Sequence, residues 1–170
     1  MANAAVEIDV SRAVKKLQRV SKVYDPVKLL RLIGQTQLGW VNKNFKDAGT
    51  EKKWRPLSPN TIASRRKGSS RPLQNTGRLR QSFEFSLRGR TTVAVGTESQ
   101  IAPFHHFGTR PYEIRGNPLR FNTASGIVFA KIVHHPGLPA RPLLPTKAVA
   151  ERIALRAVHA LIDRATRGQG

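Results

Sequence analysis

The sequence predicts an α+β fold: N-terminal helices, an antiparallel β-sheet in the middle and a C-terminal helix, with a long basic loop before the sheet. Three observations predict it. Apolar residues recur at helical spacing before residue 46 and again after residue 146. Between residues 83 and 133 they alternate with polar ones or run together in β-rich stretches. Residues 47–82 hold many turn formers and little periodicity. Helices before and after a run of hairpin-spaced strands argue for an antiparallel sheet. The 170 residues suit a single domain: a helical part at 1–46, an extended loop at 47–82, a β-rich core at 83–135, and a Pro-rich segment with a C-terminal helix at 136–166.

The first helix is expected over 10–24, where Val10, Ala13, Leu17, Val20 and Tyr24 are spaced to form one stripe. Asp25-Pro26 then stops one helix and starts another. Asp25 suits an N-cap, and Pro26 suits the first helical position, where its missing N–H costs nothing. The second helix spans about 26–46, with Val27, Leu30, Gly34, Leu38, Val41 and Phe45 on its stripe and Leu29, Ile33 and Trp40 widening it. Gly34 and Gly39 each weaken it by roughly 1 kcal/mol relative to Ala, and leave room for a close helix or strand contact.

Within the loop, Ser58-Pro59-Asn60 reads as the start of a short helix at about 59–67, and Gly68-Ser69-Ser70 as a break. Thr76-Gly77 precedes one more helical turn, with Leu79 and Phe83 on one side. Phe83, Phe85 and Leu87 alternate with Glu84, Ser86 and Arg88, the period of a half-buried strand. Gly89-Arg90 turns into the strand Thr92–Gly96, which completes a hairpin. Pro111–Arg115 and Leu119–Asn122 are short extended pieces, and Thr123–Gly126 turns into Ile127–Val133, the most β-rich run. Four prolines in 136–145 exclude a regular helix or central strand there. Thr146 is an acceptable N-cap for the last helix, where Val149, Ile153, Ala157 and Leu161 repeat, and residues 167–170 are expected to fray.

Charge is the strongest compositional signal. Thirty Lys and Arg stand against ten Asp and Glu, a formal net charge of +20. Such an excess points to a polyanion or an acidic protein surface. It is spread along the chain, and Arg65-Arg66-Lys67 is its densest contiguous cluster. Together with Arg71, Arg78 and Arg80 this loop has the means to neutralise phosphates. Only Trp54 and Phe83 flank these basics, so stacking of single-stranded bases is poorly supported. No helix-turn-helix or RNA-recognition signature is visible.

Catalytic parts are missing. Without cysteine there is no disulfide or thiolate chemistry. No Ser sits in a Gly-x-Ser-x-Gly elbow, no carboxylates pair up, and no Gly-rich phosphate loop is present. The pairs His105-His106 and His134-His135 invite a zinc reading, but adjacent residues on a strand point to opposite faces. No catalytic residue, metal or cofactor is therefore expected. No apolar run reaches the roughly 20 residues of a membrane span. The stretch MANAAVEIDV lacks the basic start and apolar run of a secretory signal, so a cytoplasmic chain is expected.

Five short motifs occur in one order. Trp54, Pro56 and Leu57 open the loop; Leu73, Thr76, Gly77, Leu79 and Ser82 follow; then Val95, Gly96 and Thr97; then His105 and Gly108; then Pro139, Ala140, Arg141 and Pro142. In this, residues 40–150 resemble the virion morphogenesis, or tail completion, family of tailed phages, and the related head–tail joining (neck) proteins of long-tailed phages. The insertion PYEIRGNPLRFNTASGIVFAKIVHHPG reads as a strand pair and is more similar to the neck branch.

The resemblance implies a non-enzymatic virion subunit at the head–tail junction, assembled in the host bacterial cytoplasm. It would form a ring, of six copies by analogy with tail tubes, and contact neck, portal-side and tail-tube proteins, with non-specific contact to packaged DNA and none to membrane. The loop at 47–82 and the strand pair at 110–133 would make subunit contacts. Expected interface residues are Trp54, Leu57, Arg65, Arg66, Lys67, Arg78 and Arg141. Gly77 and Gly108 would serve tight turns or close backbone approach, and Pro139 and Pro142 would stiffen the approach to the last helix. Arg141 would pair with a partner's carboxylate or be used within the subunit. The rival reading is a basic nucleic-acid-binding protein.

Overall fold

The computed structural model describes residues 5–11, 25–65, 68–123 and 126–167. They form β1 (Ala5–Asp9), α1 (Pro26–Lys46), α2 (Pro59–Ala63), α3 (Arg78–Gln81), β2 (Phe83–Arg88), β3 (Thr92–Thr97), α4 (Ala102–Phe107), β4 (Tyr112–Thr123), β5 (Gly126–His135) and α5 (Lys147–Arg167). The fold is α+β, with antiparallel sheets and a C-terminal helix. The chain divides into two compact units. One holds Met1–Lys43, Ser82–Glu98 and Leu144–Gly170; the other holds Asn44–Gln81 and Ser99–Leu143.

The first unit is a three-stranded antiparallel sheet, order β1-β3-β2, packed with helix residues. Register puts Val6 and Phe85 beside Val95, and Ile8 and Leu87 beside Val93, all on one face. Leu29, Leu30 and Ile33 of α1 and Ala150, Ala154, Ala157 and Val158 of α5 complete that core. α1 begins as its sequence dictates: Asp25 Oδ1 accepts the Val27 N–H at 2.9 Å. Gly34 explains itself here. A Cβ at that position would lie 2.5 Å from the Phe85 ring, so the helix approaches the strand only because the side chain is absent. Gly39 has open space around its missing Cβ and serves no such contact.

Two expectations change in this unit. Val10 is buried just after β1, and its N–H donates to Thr91 O at 3.4 Å, so it prolongs the strand pairing. The helical signal begins one residue later, at Ser11, whose N–H donates to Asp9 Oδ1 at 2.8 Å; residues 12–24 of the expected helix lie outside the described residues. β1 itself carries a readable signal, Val6, Ile8 and Val10 alternating with Glu7 and Asp9. On α5 the buried positions are Ala150, Ala154, Ala157 and Val158. The larger Val149, Ile153 and Leu161 are only half-buried, so small residues set the contact distance.

The second unit holds the loop segment, α4 and the β4–β5 hairpin. The loop is pinned by hydrogen bonds. Asn44 Nδ2 donates to Pro142 O (2.9 Å) and Leu143 O (3.2 Å), while its Oδ1 accepts the Thr50 N–H (2.7 Å). Trp54 stands edge-on to Phe45, centroids 5.4 Å apart, and its indole N–H reaches Pro142 O at 3.2 Å. Gln74 Nε2 donates to Phe45 O at 2.7 Å. The helical turns expected at Ser58 and after Gly77 form as α2 and α3, with Ser58 Oγ accepting the Thr61 N–H.

α4 was not expected from the sequence. Pro103 in its first turn favours a helix start, so His105 and His106 are helical neighbours roughly 100° apart, not residues on opposite faces of a strand. Gly108 ends the helix with φ 78°, and a Cβ there would lie 2.6 Å from Leu138 O. Gly77 also has a positive φ of 78°. β4 runs unbroken through both expected extended pieces, with a register irregularity between Arg115 and Leu119.

Candidate assembly surfaces

Two surfaces of the second unit stand out, one a basic cleft, the other an exposed apolar hairpin. The cleft has a volume of about 740 Å³. Arg141 lies at its wall, only 5% exposed. The Pro-rich segment holds this residue in place: the Arg141 N–H donates to His105 O (2.8 Å), and Thr109 and Leu138 bond each other twice nearby. Pro139 lines the cleft, and Pro142 supplies the carbonyl that Asn44 and Trp54 share. Arg141 Nη2 donates to Arg55 O at 3.0 Å, and its Nε is buried without a hydrogen-bond partner among the described residues. Burial, then the charges of Arg65 and Arg55, depress its pKa.

Arg55, Arg65, His105 and His135 also line the cleft, and among the described residues no carboxylate does. Arg65 Nη1 donates to Arg71 O at 2.5 Å. His135 Nδ1 accepts the Gly137 N–H at 3.0 Å, and its ring stacks on Tyr112 with centroids 4.7 Å apart. Burial lowers the His105 pKa, with Arg141 adding to it, and burial lowers that of His106. His106 Nδ1 accepts the Leu143 N–H at 3.1 Å, which needs the neutral ring.

The expected interface residues separate. Leu57 and Arg65 line the cleft with Arg141. Trp54 is 5% exposed and anchors the loop internally, so its face is already taken. Arg78 is exposed on α3. Arg66 and Lys67 lie outside the described residues. Arg141 satisfies one of its donors inside the subunit, the second of the two uses expected for it.

The apolar surface is the β4–β5 hairpin. Register places Tyr112, Ile114, Phe129 and Ile127 on one face, and Leu119, Phe121, Val128 and Ile132 on the other. Phe129 is 61% exposed, and Tyr112, Ile114, Ile127, Val128 and Ile132 are exposed as well. At the hairpin base Ile101, Phe104 and Tyr112 line an apolar hollow of about 420 Å³. Exposed apolar residues this concentrated make the hairpin a candidate interaction surface.

Among the described residues, no three His, Asp or Glu side chains gather where they would hold a metal ion, and no helix is long and apolar enough to cross a membrane. Sequence reasoning did not find Asn44 and Gln37 as buried polar anchors, nor the half-buried His106 as one. Each bonds a backbone group far along the chain, which no local pattern identifies.

Residues 7–161 match the model of the phage virion morphogenesis family. No curated protein and no solved structure matches the chain.

Proposed function

The chain belongs to the phage virion morphogenesis family, and from that premise we propose that it is a ring-forming neck subunit, a tail-completion protein that joins tail to head. A role in building the virion follows from the family; the ring and its place at the junction are our reading. The hairpin carries it. A two-stranded sheet is marginally stable in water by itself, and this one exposes large apolar side chains on both faces. Fully burying each of them contributes roughly 1.5–3 kcal/mol. A neighbour that covers both faces is the simplest source of that burial. In a ring every subunit offers one surface and receives another, so an exposed apolar hairpin suits a heterologous, closing interface. Six copies are what the resemblance implies.

Electron microscopy of particles made without this protein tests the reading. Full capsids beside free tails are expected; normally joined virions would overturn it. The nucleic-acid reading draws on the +20 charge. It requires tight DNA binding by the purified chain that weakens steeply with salt. Ring formation without such binding decides for assembly.

A further inference from the structure

We propose that the cleft around Arg141 is a receptor for a carboxylate side chain on an acidic segment of a different virion protein. Four observations carry it. Arg141 is nine-tenths buried and lines the cleft, yet its Nε–H has no partner among the described residues. Buried charges are ordinarily paired, and leaving one unpaired is costly. Arg55 and Arg65 share the cleft, and no carboxylate lines it among the described residues. The site therefore gathers positive charge with no described acidic side chain to offset it.

Guanidinium groups present forked donors that match a carboxylate. An incoming Asp or Glu would offset the repulsion among the three arginines, and a small shift of the Arg141 side chain toward it would satisfy the stranded Nε–H, which is sealed from solvent. The walls suggest what brings that group. Leu57, Leu73 and Leu138 are apolar and suit the methylene stem of a side chain rather than the flanking charges of a phosphodiester strand. Depth points the same way, since a nearly buried guanidinium is out of reach of a duplex backbone. A second copy of the chain is a poor donor: with ten acidic residues scattered among thirty basic ones, it offers no acidic segment to enter a basic cleft. An acidic partner is attracted by the same excess. The inference does not depend on ring formation.

Nitrogen-detected NMR of the full chain tests it through the Arg141 Nε–H signal. The probes are a short Glu-Ala peptide, its Gln-Ala counterpart and a DNA duplex. Saturable movement of the signal with the Glu peptide alone is expected. Arg65→Gln should weaken that binding roughly tenfold, the scale of one charge-assisted hydrogen bond, and Arg141→Met should abolish it. If Arg141→Met does not fold, the Nε–H shift in Arg65→Gln still decides. The proposal fails if the Glu peptide leaves the signal still, if the Gln peptide moves it equally, or if DNA moves it at lower concentration. It also fails if protein concentration alone moves it, which would make a second copy the occupant.

Discussion

The chain builds two antiparallel hairpins, and they have opposite surroundings. β2–β3 follows the rule of a half-buried sheet. Phe85, Leu87, Val93 and Val95 share a face with the helix-packed core, while Glu84, Ser86 and Arg88 face outward. β4–β5 breaks that rule. Apolar residues occupy both faces, and Phe129, Ile127 and Ile132 lie exposed. Alternation therefore reports a sheet whose second face meets water, and its loss reports one that wants cover on both. The same chain holds its folding core and its unmet surface in the same motif.

Breaking the first hairpin should cost stability. Phe83→Ala removes a ring that is 8% exposed, and we expect a loss of about 3–5 kcal/mol in urea unfolding. Gly34→Val drives a side chain into the Phe85 ring. Overpacking of this kind costs about 1–3 kcal/mol, read as a lower unfolding midpoint.

Acid should act next, and more weakly. Burial holds the pKa of His106 below its ordinary 6.5, and its neutral ring accepts the Leu143 N–H. The unfolded chain then binds the proton more readily than the folded one, so stability rises with pH in that range. His106 contributes fully above about pH 6.5 and loses its contribution as pH falls toward the folded value. His105 adds in the same direction, through burial and then Arg141. Unfolding midpoints measured from pH 7.5 down to 5 should fall, and His106→Gln should flatten the slope.

The smallest effect on stability belongs to the second hairpin. Phe129→Ser should change the monomer by less than about 0.5 kcal/mol, as exposed positions do, while self-association followed by analytical ultracentrifugation is lost. Equal destabilisation by Phe83→Ala and Phe129→Ser would erase the contrast between the hairpins.

What the sequence disclosed follows the reach of each interaction. α1 was legible because Asp25 and Pro26 act within one turn, and β2–β3 because its period is local. β1 offers only three alternating apolar residues, too few to compete with the longer helical pattern that begins at Val10. α4 is six residues set between strands, and Pro103 was its one local mark. Candidate site residues were legible as motif positions, yet the burial of Arg141 was not, because it depends on Arg55 O, 86 residues earlier. Gln37 and Asn44 bond carbonyls 113 and 98 residues away. A polar residue on an apolar helical stripe was the available hint.

The β4–β5 pair also bears on the life of the subunit before assembly. Among the described residues its sheet has two strands, and large apolar side chains lie exposed on both faces. Exposed apolar faces of this kind recruit stray chains into aggregates. Net charge opposes this by holding copies apart, and +20 is a large reserve. Salt shortens the reach of that repulsion to about 8 Å at physiological strength. The positive excess would thus act as a chaperone written into the composition, holding sticky arms apart in dilute, low-salt solution and letting them meet as concentration and salt rise.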